Sequence, residues 1–223
     1  MAMIKALIPV RANSERVINK NIRPFAGSNL LELKIKQLLR IEEIDEVCVN
    51  SDSDEMLEMA LHLGAVPIKR DIKYATSHIP MNDVYENLAA NIDCDHILYT
   101  NVTSPLVEIN TYQKCIEKYF SLKGYDSLNT VTSIKENLWL DGKPINYDPD
   151  NHPRSQDLPD IYALNFAVNI ISRDAMISRR NIVGKKFYPH FIGKAESIDI
   201  DDEEDFAIAE IIYKMKAANN GRN

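Results

Sequence analysis

A chain of 223 residues, 45% hydrophobic and 26% charged, is long enough to bury one substantial core, and its formal net charge of -7 argues against a general nucleic-acid binder. Its three cysteines, Cys48, Cys94 and Cys115, have no metal-type spacing and predict reduced, mostly buried thiols. With no run near the roughly 18 apolar residues of a spanning helix, and no signal architecture in MAMIKALIPV, the expectation is a cytoplasmic protein with a small-molecule partner, no nucleic acid and no membrane.

In chain order, IKALIPV (4–10) is a compact apolar strand candidate. A helix follows in which Leu30, Leu31, Ile35, Leu38 and Leu39 recur at helical spacing. EVCVNS (46–51) predicts a second strand. SDSDEMLEMALHLGA then opens on serine and acids and closes on Gly64, a start and a stop in helical order. HILYTNV (96–102), SLNTVTS (127–133) and FAVNIIS (166–172) predict three further strands, and the segment from Asn110 to Gly124 predicts a helix before the second of them. The chain closes on a helix from Asp202 to about Ala218, whose acidic start favours its N-terminal dipole. Such alternation predicts an α/β fold, a Rossmann-like, mostly parallel sheet flanked by helices. Residues 1–218 are expected to form a single domain and 219–223 a flexible tail. One interval breaks the rhythm: residues 134–164 carry the only tryptophan, four of the ten prolines and a DGK turn, which predicts a small projecting insertion.

Two groups of charges stand out. Behind the first strand, IPVRANSERVINKN collects Arg11, Arg16 and Lys20, with small Ala12, Asn13 and Ser14 able to bring backbone N–H groups to an anion and Asn21 able to orient it. In an open parallel sheet, ligands gather beyond the carboxyl ends of the strands, so a polyphosphate site competes here with a merely solvated basic loop. Neither G-x-x-x-x-G-K-[ST] nor G-x-G-x-x-G is present. The second group is IDID: Asp199 and Asp201, alternating on a short strand, could hold a hard cation on one face, or Asp201 and its followers could cap the last helix.

The segment IPVRANSERVINKNIRPFAG resembles the opening motif of the acylneuraminate cytidylyltransferases, the CMP-sialic acid (CMP-nonulosonate) synthetase family, with Arg11, Ser14, Lys20, Asn21, Arg23 and Gly27 in place. VNSDSDE, Arg70, TNVTSPL, SQDLPDIYALNFAVNII and SIDIDDEEDF resemble later family blocks in the same order, over roughly residues 4–212. The resemblance implies a nucleotide-diphospho-sugar transferase type of fold. It also implies a reaction in which CTP and a nonulosonic acid give the CMP-sugar and pyrophosphate with Mg²⁺. By the same resemblance Arg11, Lys20 and Asp201 are catalytic, and Arg11, Ala12, Asn13, Ser14, Lys20, Asn21 and Arg70 bind CTP. Asn101, Arg154 and Asn165 bind the sugar, and Asp199 and Asp201 bind the metal. It further implies a homodimer in which residues 134–164 of each subunit, with Leu138, Trp139 and Leu140, complete the other's sugar pocket. Departures fall in the first loop, where Glu15 replaces the usual lysine, Ile18 the usual proline and Asn13 the glycine, and at the sugar end, where Val102 and Val107 differ from the family block and Phe166 stands where the family has glycine. A modified nonulosonic acid is therefore expected. The alternatives are a 3-deoxy-octulosonate-type or other sugar nucleotidyltransferase, and a non-catalytic CTP-binding relative.

Overall fold

The computed structural model describes residues 2–12 and 16–220; the expectations placed on Asn13 and Ser14 lie outside the described residues. Seven strands form one sheet: β1 (Ile4–Pro9), β2 (Glu46–Ser51), β3 (Val66–Lys69), β4 (His96–Tyr99), β5 (Ser127–Ile134), β6 (Ile161–Ser172) and β7 (Phe187–Phe191). Their spatial order is β7-β5-β6-β4-β1-β2-β3. Strand β1 pairs in parallel with β2 and β4, β2 with β3, and β7 with β5. Only β6 runs against its neighbours, antiparallel to both β4 and β5. The sheet is therefore mostly parallel, with one reversed strand third from its β7 edge.

Among the described residues six α-helices cover it: α1 (Leu30–Leu38), α2 (Asp54–His62), α3 (Met81–Ala90), α4 (Ile109–Ser121), α5 (Arg173–Arg179) and α6 (Glu203–Asn220). Local chemistry fixes several starts. The Asn29 side chain accepts the Glu32 N–H, Ser53 accepts Met56 N–H and Ser172 accepts Ala175 N–H, each filling an otherwise unsatisfied first-turn donor. Side chains alternate across β1, and each face has its own core. Ile4, Ala6 and Ile8 pack with α1, α4 and α6, whereas Leu7 packs on the opposite face with Val84 and Leu88 of α3 and Met176 of α5. All three cysteines are free and buried. No helix among the described residues is long and apolar enough to cross a membrane.

Three differences from the sequence-based expectation have physical causes. Edge strand β3 has only four residues and half-buried alternation, too short to produce a period. Helices α3 and α5 carry short apolar patterns, and α3 begins at Pro80 without a side-chain cap. The IDID segment forms no strand: Ile200 N–H donates to the Thr103 carbonyl (2.9 Å) and the Ile200 carbonyl accepts from Lys20 Nζ (2.6 Å), so a loop and a side chain satisfy the backbone instead of a ladder.

Residues 134–164 carry a two-stranded ribbon pairing Trp139 with Pro144, followed by two short 3-10 turns, Pro149–Asn151 and Ser155–Asp157. Trp139 and Leu140 are 55% and 61% exposed, while Leu138 is half-buried.

Candidate active site

The carboxyl ends of the parallel strands open into a cleft of about 510 Å³. Arg11 follows β1 and lines it with Arg16 and Lys20. The loop that carries them is anchored by Val17, which is fully buried, and by Asp52 beyond β2, whose carboxylate accepts the Ala12 N–H (2.9 Å). Asn21 is buried and donates from Nδ2 to the Arg11 carbonyl (3.0 Å), so it fixes the loop's path. Burial pushes the Lys20 ammonium down from its ordinary value, while the nearby Asp199 and Asp201 carboxylates push it back up. This end of the cleft is a set of cations held by backbone anchors, suited to a polyanion.

Asp199 and Asp201 face the same cleft from its rim, with buried Ile200 between them. Because Ile200 is gripped on both backbone atoms, alternation persists without a strand and both carboxylates turn the same way. Arg16 pairs with Asp201 at 2.6 Å. Asp202, by contrast, accepts the Glu204 and Asp205 N–H groups and begins α6. Among the described residues no three acidic, cysteine or histidine side chains converge as a cage. Two carboxylates beside a cluster of cations nevertheless fit Mg²⁺, a hard cation that retains waters and takes the rest of its ligands from oxygen donors.

Arg70 follows β3 and lines the cleft, although it is buried. Its Nε donates to Asn50 Oδ1 (2.5 Å) and one Nη to the Asn50 carbonyl (2.8 Å), which lock it against the end of β2. Burial lowers its pKa. Asn101, just after β4, lines the cleft together with Arg11. Asn165 does not line it. Its Oδ1 accepts from Thr130 Oγ1 (2.6 Å) and its Nδ2 donates to Thr132 Oγ1 (2.9 Å), so it organises the backbone next to the cleft. Arg154 lies on the projecting segment, where its exposed guanidinium pairs with Asp157 (2.7 Å) rather than with any cleft residue.

Two features, Thr103 and Lys34, were not recognised in the sequence, and a third, Phe166, was recognised only as a departure at the sugar end. Thr103 links the cleft floor to Ile200. Phe166 lines the cleft from a bulge in β6. Lys34, fully buried on α1, donates to the Ser104 carbonyl (2.8 Å) and to Tyr112 Oη (2.6 Å), directly beneath the loop that bears Asn101 and Thr103. Burial alone brings its pKa down to about 7. Its signal was present in the spacing, because Lys34 stands on the stripe of Leu30, Leu31 and Leu38.

The family model for cytidylyltransferases matches residues 5–162. The chain is 28% identical over 225 residues to the pseudaminic acid cytidylyltransferase of Campylobacter jejuni, covering 94% of this chain and 95% of that one. It is 27% identical over 228 residues to the CMP-N,N'-diacetyllegionaminic acid synthase of Legionella pneumophila, covering 95% and 97%. Among solved structures, CMP:2-keto-3-deoxy-manno-octonic acid synthetase complexed with CTP superposes with a TM-score of 0.72 at 11% identity, over 96% of this chain and 100% of that chain, a likeness of fold. The match over residues 5–162, on a sheet whose strand ends gather the phosphate-type cations, places the chain in the cytidylyltransferase family, as an enzyme of the nucleotidyltransferase class.

Proposed function

We propose that the protein transfers CMP from CTP to a nonulosonic acid, releasing pyrophosphate. The observation that carries the reading is one cleft holding Arg11 and Lys20 at the end of β1 and the Asp199/Asp201 pair on its rim. The anomeric hydroxyl of the sugar acid attacks the α-phosphorus and releases its proton to solvent; the new P–O bond forms as the bond from the α-phosphorus to the α–β bridging oxygen breaks, and that oxygen leaves with pyrophosphate. Arg11 and Lys20 neutralise charge that accumulates on departing pyrophosphate, and Arg70 lines the nucleotide side. Asp199 and Asp201 would hold Mg²⁺, which supplies charge neutralisation at the phosphates when bound. The relatives named for pseudaminic and diacetyllegionaminic acid support a nonulosonic acceptor.

The same reading takes residues 1–218 as one catalytic unit working in the cytoplasm, where CTP is available and the three free cysteines stay reduced. It takes residues 134–164 as the contact of a homodimer, favoured by exposed Trp139 and Leu140. Light scattering on the eluting protein tests the dimer, and a mass of one 25.4 kDa chain would overturn it. The reaction is tested by pyrophosphate release from CTP and Mg²⁺ with pseudaminate, N,N'-diacetyllegionaminate, N-acetylneuraminate and 3-deoxy-octulosonate. Turnover of a nonulosonate establishes the reading; turnover of 3-deoxy-octulosonate alone, or CTP binding without turnover, replaces it.

A further inference from the structure

Strand β6 is interrupted where it reaches the cleft. Leu164 stands opposite Val131 and the next paired residue, Asn169, opposite Asn129, so residues 165–168 face the single residue Thr130. Within this bulge Phe166 adopts a φ of 55°, the left-handed region where a bulky L-residue is an outlier. Side chains take the place of the ladder. Thr130 Oγ1 accepts the Val168 N–H (2.9 Å), and Asn165 Oδ1 accepts the Ala167 N–H (3.2 Å). Asn169 Nδ2 donates to the Phe166 carbonyl (3.0 Å), and Thr100 Oγ1 donates to that of Ala167 (2.7 Å). Four backbone groups are thus satisfied by side chains from within β5 and β6 and from Thr100 just after β4. Strain of this kind persists only where its surroundings over-determine it, and here they deliver one aromatic ring to the cleft.

The order of strands gives the ring its context. Arg70 comes from β3 at one side, Arg11 from β1 and Phe166 from β6 at the other side, so on the proposed reading a phosphate chain held at Arg11 would lie between a nucleoside on the Arg70 side and an acceptor on the Phe166 side. Besides its charged groups the cleft has apolar lining, to which Ile79, Val84, Tyr85, Leu88 and Ile182 contribute along with Phe166. A hydroxylated chain against such a wall would give up hydrogen bonds to water without replacement.

On the reading of this cleft as the site of cytidylyl transfer to a sugar acid, the geometry points to Phe166 as the residue that selects the acceptor, favouring acids whose far end carries methyl and acyl groups over those with a polyhydroxylated tail. The strained backbone is what aims the ring, and glycine there would relax the backbone and remove the wall together.

The test measures kcat/KM for N,N'-diacetyllegionaminate, pseudaminate and N-acetylneuraminate with the wild-type chain, Phe166→Gly, Phe166→Asn and Phe166→Tyr. The wild type should prefer a methyl-ended acid to N-acetylneuraminate by at least about tenfold, the scale of discrimination by an apolar pocket. Phe166→Gly should reduce that ratio about tenfold, with KM for CTP unchanged and no loss of melting temperature. Phe166→Asn, which also tolerates the left-handed backbone but lacks the ring, should match it, and Phe166→Tyr should keep the wild-type ratio. An unchanged ratio in folded Phe166→Gly or Phe166→Asn, with wild type active, overturns the assignment of Phe166 alone. A wild type inactive with all three acids overturns the reading of the reaction, and this assignment with it.

Discussion

The two ends of the cleft are built in opposite ways. At the β1 end, cations face the cavity from a loop pinned mainly by backbone contacts, such as Ala12 to Asp52 and Asn21 to Arg11. At the β6 end the polar groups, Thr100, Thr130, Asn165 and Asn169, are turned inward to hold the backbone, and an apolar ring faces the cavity. The difference is what each ligand portion demands. A triphosphate is recognised by charge and tolerates side-chain freedom, whereas a sugar acid is recognised by shape, which needs a rigid wall.

Changes at the charged end should have the largest effect on rate. Arg11→Ala and Asp201→Ala should each lower kcat roughly 10²–10³-fold, the usual loss when one preorganised electrostatic contact to the reacting phosphates is removed, with the melting temperature little altered. Steady-state pyrophosphate release alongside thermal melting checks both; a rate loss accompanied by unfolding would defeat the contrast. Changes at the rigid end should register as stability first. Thr130→Val leaves the Val168 N–H without its partner and removes one of the two donors to Asn165 Oδ1, and should cost about 1–3 kcal/mol in denaturant unfolding, with KM for the acid rising more than KM for CTP.

Between the two ends sits Lys34, and its effect is on pH dependence. Its folded-state pKa of about 7 lies below the ordinary 10.5, so above about 7 the core holds a neutral amine while the unfolded chain still holds a charged one. Unfolding then takes up a proton, and stability should rise as pH increases from about 7 toward 10.5; the cost of the buried charge is fully present below 7. Lys34→Met should flatten that rise, seen as a smaller gain in melting temperature between about pH 7 and about pH 9. The smallest effect is expected on the outer surface. Lys69→Ala removes an ion pair to Asp54 whose side chains are 55% and 83% exposed, and stability should change by no more than about 0.5 kcal/mol.

How much of this was legible in the sequence follows from the same contrast. Charge clusters are local in sequence: Arg11, Lys20 and the IDID pair can be recognised because their chemistry lies on a few consecutive residues. The apolar run at 166–172 was recognisable as a strand, but its bulge was not, because the partners that make it, Thr100 and Thr130, are ordinary strand residues tens of positions away. Asn165 and Asn21 have the right residue type near the site, yet their amides hold the chain itself, a distinction that residue type cannot make. The Asp199/Asp201 alternation was legible while its cause was not: tertiary contacts to Thr103 and Lys20 take the place of a strand.

That grip on Ile200 also dictates an order of assembly. Lys20 and Ile200 are 180 residues apart, as are Arg23 and Glu203, so the loop behind the first strand meets its partners only after nearly the whole described chain has collapsed. Strands β1 to β4 can associate through near-neighbour crossovers, but β6 must still enter between β4 and β5 before the cleft has two sides. Closing such long loops is the slow, entropically costly part of forming a sheet. The cationic end of the cleft therefore matures last, and a partly folded chain would expose this loop without yet having the acidic rim that completes it.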